Sequence, residues 1–530
     1  MGGDSLMAKY TVQTIEDFSG GENLSVTPDL LAPNEARELQ NMDPILQGGV
    51  VSRWGTALDI SPSGTEGTRI IEFEYYTGST RVTKRLMLRD SELIEMTTNT
   101  VIKTGLADHM AYEVLDNKIY ILSNGLFFYY NGIGTADVTT TDIPEANLLA
   151  EVKKCKYLHQ RGDRLFASGN PDHPNELYYS QPFSPSDWWT PAKMSVANDP
   201  MGINPIRAVS DDGDIVTGLA QLHGALLVFK TRHIYAWFGF DPMTQVQFKQ
   251  LDVESGTISH RTIVKVDNAL LYLGHNGVYA LRGTVEHVIA TEYLSENVSA
   301  YIKRMTRLTN YHNTKISAVF VDGRYLVSIP VDGETDCSII LALHTKIMSA
   351  IGKPSWSHYT GLAFNDMLVG YDGRLLALRA NSTDVIHMAD EHLSDEGGLI
   401  QAKIRLRPIF VEGSQAFYTK KFRSIFIIAK QFEGVSSRFI IGGNIDYTPL
   451  LPIQATTNTA LVWDFNEWDG AVWDFSEVEI TGGRLKARGK RLDLEFYMEE
   501  VDNKLLIYKL GVEFKYKKLE KVRSSADGIN

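Results

Sequence analysis

Asp116-Asn117-Lys118-Ile119-Tyr120-Ile121, followed at once by Asn124-Gly125-Leu126-Phe127-Phe128-Tyr129, decides the fold of this chain. Each half opens on residues that tolerate the positive φ of a tight turn and continues as a short run of β-branched and aromatic residues. The pair therefore predicts two antiparallel strands joined by a hairpin. The arrangement returns at Asp267-Asn268-Ala269-Leu270-Leu271-Tyr272 with Asn276-Gly277-Val278-Tyr279-Ala280-Leu281. It returns again at Asn365-Asp366-Met367-Leu368-Val369 with Asp372-Gly373-Arg374-Leu375-Leu376-Ala377-Leu378, and fainter copies start at Arg161-Gly162-Asp163, His223-Gly224-Ala225 and Asp322-Gly323-Arg324. Successive copies lie roughly 43 to 62 residues apart, which brackets one four-stranded propeller blade. A blade cannot bury both faces alone, so the copies must stack around an axis, leaving only short sheet edges. The sequence thus predicts an all-β chain with a six- to seven-bladed β-propeller over residues 61–397.

Past Gly398 the punctuation changes. Leu399–Phe410, Phe422–Ala429, Arg438–Ile445, Leu492–Met498 and Leu505–Tyr516 read as longer strands without the repeated turn. Two antiparallel sheets packed face to face account for them, giving a β-sandwich platform over 398–530. Within it, Leu461-Val462-Trp463-Asp464-Phe465 is partly repeated at Ala471-Val472-Trp473-Asp474-Phe475, a hairpin with aromatic rungs. Residues 1–60 form an arm joining the platform. Helix formers are scarce: Pro33–Met42, with Asn34-Glu35-Ala36-Arg37-Glu38-Leu39, predicts one short helix, and Glu296–Arg307 another.

With 530 residues the chain exceeds the roughly 250 to 300 residues at which single cores stop growing, so more than one domain is expected. The two cysteines, Cys155 and Cys337, stand alone without CxxC or other ligand spacing and read as buried small hydrophobes. The first residues lack a basic stretch followed by an apolar one, so no signal peptide is expected. No run of about 18 apolar residues predicts a membrane-spanning helix. The formal charge is −13, which disfavours a protein that grips phosphate backbones over its whole surface. An acidic wall suits instead a channel past which nucleic acid slides, repelled weakly along the path.

One group of residues points to a family. Asp17-Phe18-Ser19-Gly20-Gly21-Glu22-Asn23 is followed by Leu30–Asn41 with Pro33, Glu35 and Ala36, then by Gly48-Gly49-Val50 and Arg53-Trp54-Gly55. That order resembles the N-termini of tail nozzle or hub proteins of short-tailed bacteriophages, the group that includes tail tubular and packaged-DNA stabilisation proteins. Asn175-Glu176-Leu177-Tyr178-Tyr179-Ser180 with Trp188, Ala220–Trp237 and His275-Asn276-Gly277-Val278-Tyr279 are similar to blade sequences of the same group. The resemblance implies a structural protein of the virion tail: a homohexameric ring below the head-to-tail adaptor, bearing tail fibre or needle proteins. Its lumen would conduct double-stranded DNA without sequence-specific binding, retain the packaged genome and open for ejection. A hexamer would carry about −78 charges, six times the formal −13.

Asp211, Asp212, Asp214, Asp390 and Glu391 are the candidates for acidic lumen or gate loops, facing either lumen or solvent. Arg484, Lys486, Arg488, Lys490 and Arg491 alternate with small or apolar residues, as in a guarded edge strand, and are the candidate subunit contact. His387, Asp390, Glu391, His392, Asp395 and Glu396 gather metal-ligand types, yet their spacing matches neither HExxH nor a calcium loop and reads as a solvated connection. No residue is expected to be catalytic, and no cofactor or metal is expected. The other functional reading is a glycan-binding or depolymerising propeller acting on the bacterial surface, with Trp188, Trp189, Trp237, Trp463, Trp468 and Trp473 as sugar platforms, although core or blade-to-blade packing is the reading favoured for these residues. A depolymerase would need two carboxylates about 5 to 9 Å apart across the sugar, and no pair of acids is singled out by the sequence.

Overall fold

Seven antiparallel sheets follow one another along the chain, each opened by one of the turn-and-strand units read above or by a relative of it. The computed structural model describes residues 10–139, 148–188, 206–207, 213–238, 248–251, 253, 255–283, 288–307, 315–409, 418–430, 438–450, 452–456 and 477–516. The first blade consists of Gly67–Thr77, Thr80–Arg89, Glu92–Glu95 and Thr100–Thr104, and the second of Ala111–Leu115, Lys118–Ser123, Leu126–Tyr130 and Thr135–Asp137. The third holds Tyr157–Arg161, Arg164–Ser168, Glu176–Gln181 and Ser184–Trp188; the fourth holds Val216–Leu222, Ala225–Lys230, Ile234–Trp237 and Phe248–Gln250. The fifth is Val264–Val266, Ala269–Leu273, Val278–Gly283 and Val288–Tyr293, and the sixth Ala318–Val321, Arg324–Ile329 and Ile339–His344. The seventh, Phe364–Val369, Leu375–Arg379 and Val385–Ala389, is completed by Gly55–Ile60 from the other end of the span. Its fourth strand therefore precedes the first blade in sequence, and this closes the ring.

The turn chemistry is as read. Asp116, Asn117, Asn124, Asp267 and Asp322 all have φ between 45° and 60°, the left-handed region that Asn and Asp tolerate better than other non-glycine residues. Each blade buries its faces against its neighbours, so the core is a circle of separate clusters. Ile71, Phe73 and Leu86 of the first blade meet Ile119, Ile121 and Phe128 of the second. Leu122 and Phe127 of the second meet Leu158, Leu165 and Trp188 of the third. Phe166 and Tyr179 of the third meet Leu226, Val228 and Trp237 of the fourth, and Leu227 and Phe229 of the fourth meet Tyr272 and Tyr279 of the fifth. Ile70 and Met87 of the first blade pack with Leu376 and Val385 of the seventh, so the circle is joined at its closing point.

A second unit is a β-sandwich. One sheet runs Met42–Pro44, Val50–Ser52, Leu506–Tyr516, Lys420–Lys430, Glu477–Gly489, with Thr11–Ile15 also paired on Leu506–Tyr516. The other runs Trp356–Tyr359, Glu35–Gln40, Lys403–Leu406, Leu492–Met498, Arg438–Ile445. Along Leu492–Met498 the residues alternate buried and half-buried, the period-two pattern of a strand with one face in a core. Leu494 and Phe496 from one sheet and Phe422, Ile425, Val512 and Phe514 from the other share a single hydrophobic cluster.

Two expectations are corrected here. Pro33–Met42 is not helical: Glu35–Gln40 is a strand, held between Trp356–Tyr359 and Lys403–Leu406. Ala36 and Leu39 are fully buried in the sandwich core, so tertiary pairing overrides the helix propensity of this segment. The boundaries also shift. The propeller unit comprises Ala57–Ala342 and Gly361–Ala389, whereas Leu343–Thr360, inside the expected 61–397 span, belongs with the sandwich, because Gln40 pairs with His358 in parallel. A short helix does occur at Ser299–Arg304, within Glu296–Arg307. The Leu461–Phe475 repeat lies outside the described residues. No helix among them is long and apolar enough to cross a membrane.

Candidate functional site

The predicted acidic loops do not behave as one group. Asp211 and Asp212 lie outside the described residues. Asp214 faces neither lumen nor solvent: it is buried, and its carboxylate accepts from the backbone N–H of Arg232 at 2.9 Å, from that of Thr231 at 3.2 Å and from the Thr231 hydroxyl. A carboxylate that satisfies several backbone donors is a turn organiser, and that is the physical reason for its burial. Asp390 is exposed and sits 2.8 Å from the Lys504 ammonium, and Glu391 is exposed. Asp395, read as part of a solvated connection, is instead drawn to Arg53 at 2.6 Å.

The basic strand ends its sheet as an edge reading requires: Glu477–Gly489 is the last strand in the order, with Arg484 opposite Ser424 and Arg488 opposite Lys421. Lys486 falls between them on the same strand. Arg488 and Lys490 are exposed. Arg491 departs from the expected subunit contact, because Asp493 at 2.9 Å and Asp29 at 2.8 Å already hold its guanidinium within the chain.

Trp188 and Trp237 are buried in blade-to-blade clusters, so they cannot serve as sugar platforms. Trp189, Trp463, Trp468 and Trp473 fall outside the residues whose side chains are described. Cys155 and Cys337 are free and buried; burial pushes the Cys337 thiol up to about 12 and raises that of Cys155 as well, which suits inert core residues.

The N-terminal residues that carry the family resemblance converge on a polar knot inside the sandwich unit, which spacing alone did not reveal. The Glu22 carboxylate, fully buried, lies 2.6 Å from His358 Nδ1 and accepts the backbone N–H of Leu39 at 3.0 Å. Asp43 accepts hydroxyl hydrogen bonds from Ser357 at 2.9 Å and Tyr359 at 2.8 Å, and Ser357 Oγ is 2.9 Å from His344 Nε2. Arg53 donates through Nε to Asn41 Oδ1 at 2.9 Å and completes its fork on Asp395. Gly21 has a positive φ of 70°, and a Cβ there would lie 2.5 Å from the Trp356 nitrogen; only glycine permits this approach. Serine, histidine and aspartate meet here without forming a catalytic triad. A triad uses the two ring nitrogens for different partners, whereas His344 Nε2 faces both Ser357 Oγ and Asp43, at 2.9 and 3.5 Å. All three are buried.

A second polar cluster lies among the opening strands of the propeller blades. Asp366 accepts from Arg261 at 2.5 Å and from the backbone N–H of Ile70 at 3.0 Å, with Arg69 Nε at 3.8 Å. Arg69 donates to the Met110 carbonyl at 2.7 Å and stands over the Tyr112 ring. His159 Nδ1 lies 3.0 Å from Glu113. Beside them, desolvation pulls His260 down to about 3, aided by the charge of Arg69, so this imidazole is neutral at ordinary pH. The cluster links the opening strands of blades one, two, three and seven with the turn His260–Thr262 that leads into blade five.

A cavity of about 650 Å³ opens in the propeller unit, bordered by the fifth blade and the helix Ser299–Arg304. Lys303 and Arg307 stand at its wall, with the aromatic ring of Tyr293 and the polar tips of His275 and Asn276.

No family model and no curated protein matches this chain. Among solved structures, the WD40 β-propeller domain of Doa1 is similar at 10% identity and a TM-score of 0.35, covering 64% of this chain and 98% of that one. PorZ, a surface component of the type-IX secretion system of Porphyromonas gingivalis, is similar at 11% identity and a TM-score of 0.37, covering 70% of this chain and 44% of its own. The dihydro-heme d1 dehydrogenase NirN follows at 12% identity and 0.34, covering 67% and 71%. Likeness at this level concerns fold alone. The class of protein follows from the strand order itself: an all-β chain, a seven-bladed propeller whose sequence interrupts a β-sandwich.

Proposed function

We propose that this protein is a structural ring component of a bacteriophage tail, the nozzle or hub that extends the DNA channel, retains the packaged genome and opens for ejection. The observation that carries the reading is the fate of the N-terminal segment. Glu22, Asn41 and Arg53, which stand in the order that resembles nozzle N-termini, form the buried knot of the sandwich with His358 and Asp395. The resemblance therefore falls on residues that the architecture depends on. A propeller with a sandwich platform is also the two-part organisation that the resemblance implies.

In this reading the protein acts by geometry and not by covalent chemistry. Six copies surround the tail axis in the virion, between the adaptor ring and fibre or needle proteins, and an acidic lumen guides double-stranded DNA by weak repulsion. The exposed Arg488 and Lys490 at the sheet edge offer an acidic neighbour its contact. Negative-stain electron microscopy of the purified full chain, alone and with a portal-adaptor ring, tests this. Six-fold rings are expected. A monomer under both conditions, or a monomer that cleaves capsular polysaccharide, overturns the reading.

A further inference from the structure

In an antiparallel four-stranded blade, the turn between the second and third strands and the connection to the next blade open at the same end. His275 and Asn276 occupy the first of these in the fifth blade, between Ala269–Leu273 and Val278–Gly283. Tyr293 closes that blade's fourth strand, and the helix Ser299–Arg304 begins the connection to the sixth. Ile258 arrives from the connection that enters the fifth blade. Three loops at one end of the propeller thus enclose the cavity of about 650 Å³, within the roughly 300 to 1,000 Å³ typical of small-molecule sites.

The lining is chemically one-sided. Ile258 and Ile302 are buried apolar residues and Met305 is half-buried, a floor suited to the C–H face of a sugar ring. Tyr293 contributes a partly exposed ring whose hydroxyl donates to the Asn276 carbonyl at 3.2 Å, fixing the wall. Asn276 and Ser299 supply polar groups, while Thr306 Oγ1 is anchored by the Gly333 N–H at 3.2 Å. Lys303 and Arg307 are exposed cations that form no ion pair among the described residues, whereas their neighbour Arg304 is held by Asp332 at 2.5 Å. Among the described residues no carboxylate borders the cavity, although the chain carries 65 Asp and Glu against 52 Lys and Arg. Two cations without an ion pair among the described residues, over an apolar and hydroxyl-rich wall, select an anion that also presents hydroxyl groups and a ring face.

We propose that this cavity binds an acidic saccharide, one or two sugar units bearing a carboxylate or a phosphate, with Lys303 and Arg307 holding the anion and Tyr293 and Asn276 orienting the ring. The site is independent of the tail reading, since it lies within one propeller unit and requires no other copy.

Isothermal titration of the full chain with a glucuronate disaccharide, a hexose phosphate and neutral methyl glucoside tests it. Saturable binding of at least one acidic ligand is expected, with the arm that binds distinguishing carboxylate from phosphate. The affinity should fall about tenfold or more in Lys303→Met and in Arg307→Met, the scale of a lost charge-assisted contact, and fall with added salt. Arg304→Gln, outside the cavity wall, should bind as the parent does. Both cations are exposed, so unchanged circular dichroism and thermal midpoint will show the variants folded. Absence of binding by both acidic ligands, equal binding of methyl glucoside, or undiminished affinity in both Met variants overturns the proposal.

Discussion

The two units solve burial in opposite ways. In the propeller the core is divided: each hydrophobic cluster belongs to one pair of adjacent blades, such as Leu227 and Phe229 with Tyr272 and Tyr279. In the sandwich the described residues share one large cluster, to which strands from both ends of the chain contribute, from Phe18 and Val50 to Phe496 and Phe514. Near-neighbour burial makes the propeller a chain of local interfaces. The shared cluster makes the sandwich a unit in which every strand depends on the others.

The sharpest way to break this comparison is to open a cavity in each unit and ask how far the damage spreads. Phe496→Ala in the sandwich should cost about 3 to 5 kcal/mol, and hydrogen–deuterium exchange should accelerate in strands of both sheets, including Leu506–Tyr516 and Glu35–Gln40. Leu227→Ala should cost about 2 to 5 kcal/mol, with faster exchange confined to the fourth and fifth blades. Equal acceleration in the first and second blades would remove the claim of a divided core.

Acid offers a gentler probe of a polar cluster that several blades share. His260 is pushed below its ordinary 6.5 to about 3 by burial, so between these values the unfolded chain binds a proton that the folded chain does not. Its contribution is full above pH 6.5 and is lost as pH falls toward 3. Urea unfolding followed between pH 7 and 4 should show stability falling with pH, and His260→Gln should flatten that slope. An unchanged slope in the variant would mean that other groups set the acid response.

Much of the propeller was legible because its turns are made by residues whose conformational preferences are local. Asn117, Asn124 and Asp267 announce their hairpins without reference to anything distant, and each takes positive φ. The sandwich was legible where alternation is regular, as in Leu492–Met498. What failed depends on partners remote in sequence. Glu35–Gln40 is composed like a helix and becomes a strand only because Lys403–Leu406 and Trp356–Tyr359 flank it. Asp214 reads as a turn residue facing lumen or solvent, and its burial is decided by the N–H groups of Thr231 and Arg232. The cavity at Lys303 and Arg307 joins loops of separate strands, and no local pattern marks it.

The strand Gly55–Ile60 completes the seventh blade beside Val385–Ala389, and Thr11–Ile15 pairs with Leu506–Tyr516. During synthesis at about 5 to 20 residues per second, the ribosome needs ~25 to 100 s to reach the last of these partners. Blades one to six can each form as they emerge, but the ring stays open until Val385–Ala389 is made, and Thr11–Ile15 keeps an unpaired edge throughout that interval. Such edges invite pairing with other chains. The order of events in time, imposed by where the closing strands sit in the sequence, makes the earliest-made segments the last to find their places.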